Sequence, residues 1–122
     1  MFADTDFLLA LIKDSDWLKE KAERILKKQK DKIMTSVSVM IELALLCKRL
    51  KMEASVVFAN VLELVDIDEE TYNVSMRAAV YMEKYGLNVF DAFHAAYCKN
   101  DTVISSDTVY EKIGLKRIKL EE

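Results

Sequence analysis

Four acidic residues stand in sequence contexts where a carboxylate is unusual. Asp4 follows a short apolar start, Glu42 and Asp91 interrupt apolar runs, and Asp107 closes a strand-like segment. A carboxylate placed among buried side chains costs several kcal/mol unless it is paired or bound to a metal. Few basic residues lie beside these four in the sequence. A cation from outside the chain is therefore the expected partner.

The segments that must position these acids alternate between strands and helices. Helical patterns cover residues 7–12, 14–30, 39–50, 53–62, 69–85 and 108–113, with a further helix starting at Asn88, and strand-like segments cover residues 1–3, 32–37, 64–67, 102–106 and 116–120. This alternation predicts a three-layer α/β/α fold with a central, mainly parallel sheet. Such sheets bind ligands outside the carboxyl ends of their strands.

The predicted elements bring the four acids towards one edge of that sheet. Asp4 and Asp107 fall at strand ends, and Glu42 and Asp91 are expected in the first turns of helices near the same edge. Four acids from distant parts of the chain are therefore predicted to converge on one cleft. Taken singly, each also has a structural explanation, because Asp4 and Asp107 suit helix N-caps and Glu42 suits an exposed helix position.

Composition predicts one domain that covers residues 1–122. Hydrophobic residues make up 52% of the chain, but no apolar stretch is long enough to span a bilayer. The N-terminus has no basic-then-apolar signal pattern, so a cytoplasmic protein is expected. Cys47 and Cys98 are predicted to be buried free thiols. The net charge of −3 is not typical of a nucleic-acid binder, and the Lys-rich segment 19–30 is interpreted as a solvated helix face.

The acids belong to four sequence blocks that occur in order along the chain: Asp-Thr-Asp at 4–6, Ser-Val at 36–37 with Glu-Leu at 42–43, Tyr-Gly-Leu-Asn-Val-Phe-Asp-Ala at 85–92, and Ser-Ser-Asp-Thr-Val-Tyr at 105–110. With these blocks the chain resembles the PIN-domain ribonucleases, and most closely the VapC-like toxins of prokaryotic toxin–antitoxin pairs. The third block is the most specific. Asp6 stands where the family often has Asn or Ser, and Val39 stands where many members have Thr.

The resemblance implies a PIN-like fold and an endoribonuclease that depends on Mg²⁺ or Mn²⁺. Asp4 and Asp91 would be direct metal ligands, while Glu42 and Asp107 would bind the ion directly or through water, one of them helping to deprotonate the attacking water. Further contacts to these ligands are expected from three neighbouring side chains: Thr5, Asp6 and Ser105. Cleavage of RNA would leave a 5′-phosphate and a 3′-hydroxyl.

The resemblance also implies a homodimer and a possible cognate antitoxin. Apolar residues on the predicted helix 53–62 are expected to supply dimer surface, namely Val56, Val57, Phe58 and Val61. His94 lies three residues after Asp91, where a packed core or interface histidine is favoured over a contact to phosphate.

Three alternatives remain open at this stage. A free-standing RNA-processing PIN nuclease would share all four acids. A haloacid-dehalogenase-like phosphatase would use Asp4 as a nucleophile in the Asp4-Thr5-Asp6 segment, although no convincing downstream Lys accompanies it. A catalytically inert binding module of the same fold would typically have lost some of the acids, whereas this chain has all four.

Overall fold

Helices dominate the computed structural model, which describes residues 1–122. Its elements in chain order are α1 (Thr5–Ile12), α2 (Lys19–Lys28), α3 (Val37–Leu50), α4 (Ala54–Leu64), α5 (Glu69–Tyr85), α6 (Val89–Cys98), β1 (Thr102–Ser105), α7 (Val109–Lys112) and β2 (Lys116–Lys119). No helix combines the length and the apolar character that crossing a membrane requires.

The strands are parallel, as predicted, but they are shorter than the sequence suggested. β1 and β2 pair in register from Thr102 with Lys116 to Ser105 with Lys119. The predicted strands at 1–3, 32–37 and 64–67 are reduced to single parallel bridges, which join Phe2 to Met34 and Met34 to Asp66. The result is a mostly helical chain with one two-stranded parallel sheet and two isolated parallel bridges.

Capping residues fix the ends of the helices that matter for the site. The Asp68 carboxylate accepts a hydrogen bond from the Thr71 amide at 2.8 Å and so begins α5. Gly86 ends α5 with φ at 68°, a left-handed conformation that glycine adopts without steric cost. Asn88 then begins α6, because its side-chain oxygen accepts from the Asp91 amide at 2.9 Å.

The start of α3 corrects one expectation. The helix begins at Val37, with Ser36 rather than Ser38 at the N-cap position. The two serine hydroxyls are 2.7 Å apart and hydrogen-bond to each other. Because the helix begins two residues earlier than predicted, Glu42 lies in its second turn and not in its first.

The buried core lies mainly between α3, α4, α5 and α6. It is a cluster of 24 buried residues, in which the Phe58 and Phe93 rings meet edge to face with their centroids 6.5 Å apart. Val57 and Val61 are also buried in this cluster, and of the four residues predicted to form dimer surface only Val56 is exposed. The predicted dimer surface on α4 is therefore wrong for Val57, Phe58 and Val61, which pack within their own chain.

Candidate active site

Asp4 is held at the point where the first extended segment turns into α1. Ala3 is anchored on both sides, since its amide donates to the Met34 carbonyl at 2.8 Å and its carbonyl accepts from the Thr35 hydroxyl at 2.9 Å. The exposed Asp4 carboxylate then caps α1 by accepting from the Thr5 amide at 2.7 Å. The capping role expected of Asp4 taken alone is confirmed, and the rest of its carboxylate faces solvent.

Thr5 and Asp6 complete the first turn of α1 in different surroundings. Thr5 is buried, and its hydroxyl oxygen has no hydrogen-bond partner. Asp6 is exposed and, with Asp4, lines a groove of about 270 Å³ whose other walls include Phe7 and Ile25. The largest cleft, of about 660 Å³, lies elsewhere and contains none of the four acids.

Asp91 is partly buried in the first turn of α6 and is held by two neutral donors. The Asn88 amide nitrogen donates to Oδ2 at 2.8 Å, and the Tyr110 hydroxyl donates to Oδ1 at 3.4 Å. No cation contacts the carboxylate. Its orientation is therefore fixed by hydrogen bonds that leave the charge uncompensated.

Asp107 occupies the turn between β1 and α7. Its amide donates to the Ser105 hydroxyl at 3.0 Å, and its exposed carboxylate accepts from the Val109 amide at 2.9 Å. The Ser105 hydroxyl thus touches the backbone of Asp107 and not its carboxylate. The Ser105 carbonyl accepts from the Arg117 guanidinium at 2.8 Å, so a residue of β2 secures the end of β1 from which this turn departs.

Tyr110 brings two of the acids into one electrostatic environment. Burial raises the pKa of its hydroxyl to about 12, and the negative charges of Asp91 and Asp107 act in the same direction, together with the hydrogen bond to Asp91. Sequence reasoning noted Tyr110 only as the aromatic residue of the fourth block. Its position three residues after Asp107 was the one signal of a role at the site.

Glu42 is exposed and forms no side-chain hydrogen bond or ion pair. Its helix, α3, contacts both α1, which follows Asp4, and α6, which carries Asp91. The helix packing therefore brings together the elements that carry these three acids. His94 is exposed on α6, so it does not pack in the core, and its predicted place at an interface stays a prediction.

The donor chemistry of these residues fits a divalent cation, but the acids do not form a coordination group. No Lys or Arg side chain forms an ion pair with the acids of the candidate site, which are Asp4, Asp6, Glu42, Asp91 and Asp107. No three acidic, His or Cys side chains are gathered closely enough to hold a metal ion. Carboxylate oxygens are nevertheless the type of ligand that hard divalent cations prefer.

The family of the chain follows from comparison with known sequences. The family model of the PIN domain matches residues 1–116. The chain belongs to the PIN domain family. No curated protein and no solved structure matches the chain.

Membership of the PIN domain family confirms the predicted α/β fold class, here as a mostly helical form with a small parallel sheet. PIN domains are generally nucleases that act on RNA and use divalent metal ions. In this PIN domain, all four acids of the family blocks are present and free of ion pairs.

Proposed function

We propose that this PIN domain is an endoribonuclease that hydrolyses RNA phosphodiester bonds with the help of Mg²⁺ or Mn²⁺. The observation that carries the proposal is the set of four family acids, none of which is neutralised by a Lys or Arg side chain. Carboxylates left without cation partners are good ligands for a hard divalent ion.

We assign two tasks to the four acids, which are binding of the divalent ion and deprotonation of the attacking water. A bound divalent ion activates water and stabilises the negative charge that develops on the phosphate. Asp4 and Asp91 would hold this ion directly, while Glu42 and Asp107 would bind it directly or through water, and one of these two would help to deprotonate the attacking water. Thr5, Asp6 and Ser105 support these carboxylates. The products carry a 5′-phosphate and a 3′-hydroxyl.

The proposed substrate is single-stranded or loop RNA. The backbone of a single strand can adapt to bring one phosphate close to the carboxylates, whereas a duplex holds its phosphates on a rigid surface. We further propose that residues 1–122 act as one nuclease domain in the cytoplasm, as the toxin of a VapBC-type pair. A free-standing RNA-processing nuclease would use the same site. A neighbouring reading frame for a small DNA-binding-like protein would support the toxin, and its absence would favour the free-standing enzyme.

Cleavage of total RNA in Mg²⁺ or Mn²⁺ tests the central claim. We expect fragments with 5′-phosphates, and we expect EDTA or the substitution Asp91→Asn to abolish cleavage. Asp14→Asn is the matched control, because Asp14 is an exposed aspartate outside the proposed site. Cleavage that survives chelation and extensive dialysis would overturn metal dependence. Turnover of a chromogenic phosphomonoester without RNA cleavage would favour the phosphatase alternative.

A melting experiment separates ligation from a structural role of Asp91. Metal bound only by the folded state stabilises it by about 2.7 kcal/mol when free metal is ~100 times its dissociation constant. We expect Asp91→Asn to lose most of this gain and Asp14→Asn to retain it. The quantity compared is the metal-induced shift, because an amide at position 91 also alters the hydrogen bonds with Asn88 and Tyr110. Equal shifts in wild type and Asp91→Asn would refute the assignment of Asp91 as a ligand.

We also propose that the chain forms a homodimer. Two exposed apolar side chains, Val80 on α5 and Phe90 on α6, supply surface for it. Light scattering at a concentration in the tens of micromolar should give twice the mass of the chain. A monomer under those conditions would contradict the proposal.

A further inference from the structure

Tyr110 has a buried ring and a hydroxyl that hydrogen-bonds to Asp91. Packing of the ring in the core does not by itself require this hydroxyl. We propose that Tyr110 is a positioning residue, which orients the Asp91 carboxylate so that it binds the divalent ion. This inference rests on the proposed metal-dependent function and adds a residue to it. It makes Tyr110 a support for the ligand and not a ligand itself.

The first support is the way Tyr110 is anchored. The residue is 4% exposed and belongs to the buried core cluster, and its backbone carbonyl accepts from the Leu115 amide at 3.0 Å. The ring is therefore fixed from behind, while the hydroxyl reaches Oδ1 of Asp91 at 3.4 Å. This contact joins α7 to α6 across 19 residues of sequence. A hydroxyl at the end of an immobilised ring is suited to setting the direction of a carboxylate.

The second support is the neutrality of both groups that hold Asp91. Asn88 donates to Oδ2 at 2.8 Å and Tyr110 donates to Oδ1, so each oxygen receives one neutral donor. An Arg or Lys in place of Asn88 or Tyr110 would neutralise the negative charge of the Asp91 carboxylate, and this charge is what attracts a divalent cation. A carboxylate oxygen offers two lone pairs, so each oxygen of Asp91 retains one for an ion or for its water ligands.

The third support is the position of Tyr110 on α7. The same short helix receives the Asp107 carboxylate at its start, through the Val109 amide at 2.9 Å. Asp107 is thus held through the main chain of α7, and Asp91 is held through a side chain of α7. The candidate ligands Asp91 and Asp107, which lie in separate parts of the sequence, are therefore both hydrogen-bonded to α7.

Titration of Mn²⁺ into the purified protein without RNA tests the inference. Groups that hydrogen-bond to metal ligands typically change metal affinity by about 10- to 100-fold when they are mutated. We expect Tyr110→Phe to weaken Mn²⁺ binding by about 10-fold. Tyr97→Phe is the matched control, because Tyr97 is exposed on α6 and its hydroxyl forms no hydrogen bond. It should bind Mn²⁺ as the wild type does.

Two further measurements separate positioning from general support of the fold. In RNA cleavage, Tyr110→Phe should need more Mn²⁺ for half-maximal rate while retaining most of kcat at saturating Mn²⁺. Its melting temperature in EDTA should remain close to that of the wild type. Unchanged Mn²⁺ affinity in Tyr110→Phe would overturn the inference, whether or not melting changes, and would leave the proposed function standing. A wild-type protein that binds no Mn²⁺ would instead overturn the metal-dependent function, and the inference with it.

Discussion

Two buried hydroxyl groups in this protein have no hydrogen-bond partner, those of Thr5 and Ser75. Thr5 follows Asp4 in the candidate site, whereas Ser75 is fully buried in α5. A buried polar group without a partner costs about 1–3 kcal/mol. Such a cost at Ser75 is an ordinary defect of packing. Thr5, by contrast, is a residue proposed to support the metal ligands.

Removal of either hydroxyl should stabilise the protein in EDTA. We expect Ser75→Ala and Thr5→Val to raise the unfolding free energy by up to ~1 kcal/mol, since each removes a polar atom that burial leaves unsatisfied. Urea unfolding monitored by circular dichroism measures this change. In saturating Mn²⁺, Thr5→Val alone should show a smaller metal-induced gain. If both variants gain equally from Mn²⁺, Thr5 has no role beside the ligands.

Single residues also show which contacts could be predicted from the sequence. The structural roles of Asp4 and Asp107 follow local rules, and each carboxylate does accept a nearby backbone amide at a helix start. The hydrogen bond from Tyr110 to Asp91 could not be predicted in this way. It joins two helices that only tertiary packing brings together, and an aromatic residue near an acid has no local signature for such a contact.

At the scale of elements, helix boundaries were predictable where a residue suited the cap through its own local geometry. Asp68 and Gly86 delimit α5 as expected, because the Asp68 carboxylate accepts from the Thr71 amide and Gly86 adopts a left-handed conformation. Two serines compete at the start of α3, and the hydrogen bond between them left the choice to tertiary context. The strand lengths were harder still, since pairing depends on neighbouring segments that are distant in sequence. Three predicted strands became single bridges for that reason.

The cap of α5 should make stability depend on pH. The pKa of Asp68 lies below its ordinary value of 3.8, first because the Thr71 amide donates to it and then because the Thr71 hydroxyl does. A lowered pKa in the folded state means that the contribution is present above the unfolded value and is lost as pH falls through the folded value. Asp68→Ala should therefore destabilise the protein at neutral pH, with a difference from wild type that shrinks as the pH falls below the ordinary pKa of 3.8 and through the lower folded-state pKa.

Urea midpoints of wild type and Asp68→Ala at neutral pH and at a series of pH values below 3.8 measure this dependence. Glu63→Ala serves as the control, because Glu63 is an exposed acid on α4 with no side-chain partner. Its difference from wild type should stay small at all of these pH values. A deficit in Asp68→Ala that is as large in acid as at neutral pH would contradict a cap that depends on charge.

At the scale of the whole molecule, the order of the sequence blocks predicted the family, and the family predicted the fold. The relative placement of the four acids was a different problem. Which elements meet follows from the topology, and α3 does contact both α1 and α6. How closely the carboxylates approach depends on helix start positions and side-chain directions, as the earlier start of α3 illustrates for Glu42. Helix α3 thus contacts the helices next to Asp4 and Asp91, whereas no three acidic, His or Cys side chains are gathered closely enough to hold a metal ion, and convergence of the four acids stays a prediction.

The contacts of Arg117 have a practical consequence for anyone who trims this chain to its recognised domain. The family match stops at residue 116, one position before Arg117. The Arg117 side chain is only 1% exposed, forms ion pairs with Glu111 and Glu121, and donates to the Ser105 carbonyl. The hydrogen bonds that the Arg117 guanidinium donates to Glu121 lower the pKa of this carboxyl to about 2. A version that ends at Lys116 would lose the anchor at the end of β1, from which the Asp107 turn departs.

We expect the chain that ends at Lys116 to melt at a lower temperature than the full chain and to cleave RNA less well. Arg117→Gln in the full-length chain should reproduce part of the loss, because the rest of β2 then remains in place. Removal of Glu122 alone is the matched control, since its carboxylate pairs only with the exposed Lys119. Identical melting curves for the full and the trimmed chains would show that the last six residues are dispensable. For expression and crystallisation, we therefore expect a version that includes Arg117 and Glu121 to behave better than one cut at the end of the family match.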